Sequence, residues 1–187
     1  MSRVTLVLGG ARSGKSRFAE GLATGHRGRK TYIATAEAFD DEMRERIAHH
    51  RLQRGEGWET REAPLDLVTA LQSCETGFVL IDCLTLWISN LMHAKRDVGR
   101  DVVSLCAALK KSKTHVVLVS NEVGLSIVPE NALARRFRDE QGFANQRIAA
   151  AADEVFFVAA GLPLTLKAKS PRPAPTRKAK SSRDRKR

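Results

Sequence analysis

Gly9-Gly10-Ala11-Arg12-Ser13-Gly14-Lys15-Ser16 sets two glycines five positions apart, ahead of a lysine and a hydroxyl. Glycines at those positions let the backbone turn tightly enough for several N–H groups to converge on one anion. Lys15 then reaches the β- and γ-phosphates of a nucleoside triphosphate, and the Ser16 hydroxyl takes a place on Mg²⁺. A helix opening near Ser16 adds the positive end of its dipole to the same point. A glycine-rich turn with a fortuitous lysine meets this spacing in roughly 1% of chains this long, given glycine at about 7% of residues. Here the apolar run Val4-Thr5-Leu6-Val7-Leu8 precedes the motif and a helix-compatible run follows, which is the context a phosphate loop needs.

The same chemistry calls for an acid at the end of a neighbouring strand to orient the metal. Asp82 ends Phe78-Val79-Leu80-Ile81 and is the first candidate, with capping of the following helix as its structural alternative. Glu122, after Val116–Ser120, is the competing acid.

A second cluster lies in residues 40–54. Asp40 is a good helix N-cap, with acids in the first turn. At 3.6 residues per turn, Met43, Ile47 and His50 share a face, with Arg46 and Arg54 one turn to either side of His50. His49 is turned about 100° from that stripe. An imidazole between two guanidiniums is disfavoured as a cation and so kept nucleophilic, and the arginines suit a phosphate. Attack of a histidine nitrogen on phosphorus fits that arrangement. A basic, solvated helix face carrying two incidental histidines fits the residues equally well.

Positioning these groups requires a sheet. Five short apolar runs read as strands: Val4–Leu8, Thr31–Ala34, Phe78–Ile81, Val116–Ser120 and Val155–Ala159. They are mostly continuous rather than alternating, as when both faces of a parallel sheet are covered. Helix-like segments at about 16–24, 41–54, 65–73, 85–94, 101–111 and 131–152 separate them, the last with Gly142 as a point of interruption. Strands alternating with helices predict an α/β fold of the P-loop NTPase type, a mostly parallel central sheet flanked by helices.

The chain of 187 residues carries a net charge of +11, unevenly spread. Residues 167–187 hold ten Lys or Arg against Asp184, a net +9, which leaves +2 for residues 1–166. The expected organisation is one domain over 1–167 and a basic, disordered tail over 168–187, too poor in apolar bulk to offset its ordering entropy. No apolar run approaches the ~20 residues of a membrane helix, and no signal-peptide core follows Met1. Cys74, Cys83 and Cys106 form no metal-spaced pair and no disulfide framework. Together these features favour a cytoplasmic setting.

Read in order, the motifs resemble the bifunctional adenosylcobinamide kinase/adenosylcobinamide-phosphate guanylyltransferase family of cobalamin biosynthesis over about residues 4–167. The likeness rests on Gly9–Ser16, Tyr32-Ile33-Ala34-Thr35-Ala36, Asp41-Glu42-Met43, Arg46-Ile47, His50-Arg51, Arg54, Trp58, Thr60 and Glu62. It continues through Asp82-Cys83-Leu84-Thr85-Leu86-Trp87, Ser89-Asn90-Leu91, Ser120–Gly124, Ile127-Val128-Pro129, Arg135–Asp139, Asn145-Gln146-Arg147 and Ala149–Glu154. The resemblance implies two reactions. ATP or GTP phosphorylates the hydroxyl of the adenosylcobinamide side arm. GMP then passes from GTP through an enzyme histidine to the phosphorylated corrinoid, giving adenosylcobinamide-GDP.

On that resemblance the guanylylated histidine matches His50, with His49 as its neighbour. Gly9–Ser16 and Ala34-Thr35-Ala36 would hold the triphosphate, while Arg51-Leu52-Gln53-Arg54, Glu62 and Asp82 approach the guanine nucleotide. Glu62 suits the N1–H and N2–H₂ edge of guanine, since both are donors. Mg²⁺ on Ser16 and Asp82, and a homotrimer, are implied as well. Phe143-Ala144 depart from the family wording before Asn145, which puts the local packing in question, and the tail lies outside the likeness. Two other readings compete: a small P-loop kinase for another metabolite, which leaves the His50 helix unexplained, and a nucleotide switch using the tail on nucleic acid. The domain lacks aromatic-basic interleaving of the RNA-recognition type, so nucleic acid is not the expected partner.

Overall fold

The protein is described by a computed structural model over residues 3–37, 57–75 and 77–168. Its strands are β1 (Arg3–Gly9), β2 (Lys30–Ala34), β3 (Trp58–Glu62), β4 (Phe78–Asp82), β5 (His115–Asn121), β6 (Glu154–Ala159) and β7 (Leu162–Lys167). The helices are α1 (Lys15–Gly21), α2 (Leu67–Gln72), α3 (Leu84–His93), α4 (Val98–Lys111) and α5 (Ala132–Ala151). The strands make one sheet in the order β3-β2-β4-β5-β1-β6-β7, parallel except for β7, which runs against β6. This is the α/β, mostly parallel arrangement that the strand–helix alternation predicts.

Successive residues of each central strand enter opposite layers, the period-two consequence of a pleated backbone. Leu6, Leu8, Val79, Ile81, Val116 and Leu118 pack beneath α2, α3, α4 and α5. Val7, Phe78, Leu80, Val117 and Val119 face the other way, with Ala19 and Ala23 at and just beyond α1. Both faces are therefore apolar, which explains why these strands read as unbroken runs. Burial of each such Leu, Val or Phe stabilises the fold by about 1.5–3 kcal/mol before entropy is counted.

Local chemistry sets the helix ends. Asp97 caps α4 by accepting from the Arg100 N–H at 3.0 Å, with Lys110 and Lys111 in the last turn. Asn131 caps α5 by accepting from Leu133 N at 2.7 Å and Ala134 N at 3.3 Å.

Three expectations change. α5 runs without a break through Gly142, where an added Cβ would meet nothing within 4 Å; the glycine's cost in a 20-residue helix is offset by packing on Ala144 and Ile148. The departure at Phe143-Ala144 is accommodated, since Ala144 is buried and Phe143 points to solvent. The sheet has two further strands. β3 is an edge strand with charged residues at Glu59, Arg61 and Glu62, so it carries no apolar run to read. β7 is the opposite edge, and its Leu162, Leu164 and Leu166 are all exposed. The expected helix over 41–54 and the basic tail beyond 168 fall outside the described residues.

Candidate active site

The described candidate residues converge because β1, β2, β3 and β4 all end on one edge of the sheet. Ala34, the last residue of β2, lies in register with Glu62 of β3 on one side and Asp82 of β4 on the other. Asp82 is opposite Val119 of β5, and Gly9 of β1 is opposite Asn121 two residues further on. At about 4.8 Å between strands, Glu62 and Asp82 flank Ala34 at the end of the sheet that binds ligands in open α/β folds.

Gly9–Ser16 connects β1 to α1 as a tight loop. Gly14 adopts φ of 93°, a conformation that disfavours any side chain. At Gly9 a Cβ would fall 2.5 Å from the Val158 carbonyl oxygen, so only hydrogen fits between loop and β6. Gly9→Ala is therefore expected to destabilise the fold by about 2 kcal/mol or more and weaken triphosphate binding by at least tenfold. Urea unfolding and nucleotide titration check both; a variant with wild-type affinity would remove the close approach from the account.

The loop is fixed from three sides. The Gly161 N–H donates to Ser13 O at 2.8 Å, the Glu122 N–H to Gly9 O at 3.1 Å, and the Phe18 N–H to Gly14 O at 3.0 Å. Lys15 is buried, and its Nζ donates to Gly10 O at 2.9 Å, so the ammonium lies across the loop. Ala11 and Arg12 are exposed, with Arg12 at φ 54°.

Next to the loop, the Cys83 thiol reports the local field. Burial, reinforced by the Asp82 carboxylate, pushes its pKa up to about 11. Backbone N–H groups of Leu86 and Thr85 and the Lys15 charge act in the opposite direction. Asp82 and Lys15 are thus both near enough to Cys83 to act on it, although β5 separates their strands. Asp82 does not cap α3; the residue at that position is Cys83, with no side-chain cap bond. Glu122 turns its Oε1 onto the Gly124 N–H at 2.7 Å, which ties this second acid to its own loop.

Among the described residues no group of three or more His, Cys, Asp or Glu could hold a metal ion. A half-buried hydroxyl at Ser16 and a half-buried carboxylate at Asp82 are a sparse donor set. That suits Mg²⁺, which keeps several waters and takes the rest of its oxygens from phosphates. Ala36 and Thr35 continue from β2 along the same edge. His49, His50 and Arg51-Leu52-Gln53-Arg54 lie outside the described residues.

The resemblance places Thr35 at the triphosphate, but the hydrogen bonds that hold this edge together are absent from the sequence reading. Thr35 is fully buried, donates its Oγ1 to Cys83 O at 2.7 Å and accepts from Cys83 N at 2.9 Å. Behind β5, Gln141 Nε2 donates to Ser120 Oγ at 2.8 Å and to Asn145 Oδ1 at 3.0 Å. Asn145 Nδ2 in turn donates to Asn121 O at 3.1 Å. The available signal was Gln141 and Asn145 one turn apart on the α5 face that carries Ala144 and Ile148, since a buried amide needs a partner. Among the described residues no helix is long and apolar enough to cross a membrane.

Residues 5–166 match the family model described as cobinamide kinase / cobinamide phosphate guanyltransferase. The chain is 47% identical over 168 residues to bifunctional adenosylcobalamin biosynthesis protein CobP of Pseudomonas aeruginosa, covering 87% of this chain and 96% of that one. It is 42% identical over 179 residues to the corresponding CobU proteins of Salmonella typhimurium and Escherichia coli, covering 87% of this chain and 98% of each. A match spanning both the phosphate loop and the strand ends that face it places the chain in the cobinamide kinase / cobinamide phosphate guanyltransferase family of bifunctional enzymes.

Proposed function

We propose that one nucleotide-binding edge carries out both transfers, with His50 as the covalent relay between them. The observation that supports this is the register that brings Gly9, Ala34, Glu62 and Asp82 to the same end of the sheet. In the first transfer, the side-arm hydroxyl oxygen of adenosylcobinamide bonds to the γ-phosphorus of ATP or GTP, and the nucleoside diphosphate leaves. Lys15 and the loop N–H groups stabilise the charge that develops on the phosphoryl oxygens. In the second, an unprotonated His50 nitrogen bonds to the α-phosphorus of GTP, and the bond to the bridging oxygen breaks to release pyrophosphate. A phosphate oxygen of adenosylcobinamide phosphate then attacks the same phosphorus, which frees the histidine and forms adenosylcobinamide-GDP.

Glu62 is proposed to read guanine through its two donors, and Arg51 through Arg54 to approach the same nucleotide. Ser16 and Asp82 would hold Mg²⁺ with the nucleotide. That ion supplies neutralisation of phosphate charge. The homotrimer and the cytoplasmic setting belong to this proposal as well.

Incubation with α-³²P-GTP followed by denaturation tests the relay. Label should stay on the denatured chain and be released by acid, as a phosphoramidate is. It should also be discharged by adenosylcobinamide phosphate before denaturation. A chain that keeps no label under conditions where the kinase reaction runs would sink the covalent step.

A further inference from the structure

We infer that Asn90 is a positioning residue that locks the base-reading half of the site to the metal-binding half, and that it thereby sets the preference for GTP over ATP. Asn90 lies within α3, the helix that starts two residues after Asp82, and is 7% exposed. Its Nδ2 donates to Thr35 O at 2.8 Å and to Pro64 O at 3.1 Å. One carboxamide therefore holds the exits of β2 and β3 together. Thr35 extends the clamp to β4: its N–H donates to Asp82 O at 3.3 Å, and its hydroxyl exchanges two hydrogen bonds with the Cys83 backbone. The Ala63 N–H donates to Ala34 O at 2.8 Å, one residue beyond Glu62.

The phosphate half is anchored elsewhere. Its loop is held through Glu122, Gly161 and Phe18, on the β5, β6 and α1 side of the sheet. Loosening Asn90 leaves that cradle in place and lets the Glu62 end of β3 drift from Asp82. Thr35 stays tied to β4 through its bonds to Asp82 O and the Cys83 backbone, so the triphosphate side of β2 keeps its place and the drift falls on a base read at Glu62. Losing a buried hydrogen bond while leaving its carbonyl unpaired costs about 1–3 kcal/mol, on the order of 5- to 150-fold in an equilibrium.

The inference rests on the proposed reading of guanine by Glu62, so its test has two arms. Asn90→Leu removes both donors at similar volume. Asn90→Ser keeps one short donor and carries the test if the leucine variant does not fold, as judged by thermal unfolding. For each, KM and kcat are measured for GTP in guanylyl transfer and for ATP in the kinase step. Expected is a rise of about tenfold or more in KM for GTP, with kcat for GTP and both ATP parameters within about threefold of wild type. Equal weakening of GTP and ATP, or a fall in kcat alone, overturns the positioning role in favour of a purely structural one. In the second arm Glu62→Gln is measured in the same way. If Glu62→Gln leaves KM for GTP unchanged, the base-reading assignment fails. If Glu62→Gln raises it and the Asn90 variants do not, the clamp alone fails.

Discussion

Lys15→Ala is expected to lower both phosphoryl and guanylyl transfer by about 10²- to 10³-fold, with little change in stability. In the proposed scheme both reactions place a triphosphate in the same cradle, so one ammonium would serve charge at the γ-phosphorus in one transfer and at the departing pyrophosphate in the other. Its geometry shows a group aimed at the loop: Lys15 sits in the first turn of α1 with Nζ on Gly10 O. Alanine is a strong helix former, so α1 should still begin there. Lys15→Arg is not expected to restore either rate, because a planar fork does not reproduce a compact point charge inside the loop. Rates for both transfers, nucleotide titration and thermal unfolding check this together. Retention of either activity within tenfold of wild type would separate the two reactions onto different phosphate sites.

The second large effect is selective. His50→Ala is expected to abolish the acid-labile label from α-³²P-GTP and to cut guanylyl transfer by on the order of 10⁴-fold or more, as loss of a nucleophile does elsewhere. The kinase step should remain within about threefold, because a γ-phosphoryl group goes directly to the acceptor. His49→Ala is the control. On the helix expected from the sequence, adjacent side chains project about 100° apart, so His49→Ala should keep the label. If His49→Ala loses the label and His50→Ala retains it, the relay moves by one residue. If neither variant loses it, the covalent link lies elsewhere.

The parts of this enzyme that could be read from the sequence are those that a periodic or spaced pattern records. The central strands were legible because burial on both faces demands unbroken apolar runs, as in Phe78-Val79-Leu80-Ile81. The phosphate loop was legible because backbone geometry forces glycine at Gly9 and Gly14. β3 was not, because an edge strand with one free side tolerates Trp58-Glu59-Thr60-Arg61-Glu62, which has no apolar stripe to detect. Asn90 and Thr35 were not recognised as a clamp for a different reason. Their partners are main-chain carbonyl and N–H groups, which every residue supplies, so only tertiary structure says which ones they meet.

The position of β1 has a consequence for how the chain is made. Its two neighbours are β5 and β6, with Leu6 paired to Leu118 and to Val155. During synthesis, therefore, the strand that bears the phosphate loop leaves the ribosome ahead of the sheet's other strands and waits more than a hundred residues for a partner. β2 and β4 can pair long before that, since Ala34 and Asp82 are both already out. Assembly must then insert β1 between two strands that arrive late. Such long-range pairing is slow, and it leaves an apolar strand uncovered in the interval. Over that stretch of translation the uncovered strand is the part of the nascent chain most open to aggregation. The nucleotide cradle is among the last features of the enzyme to exist.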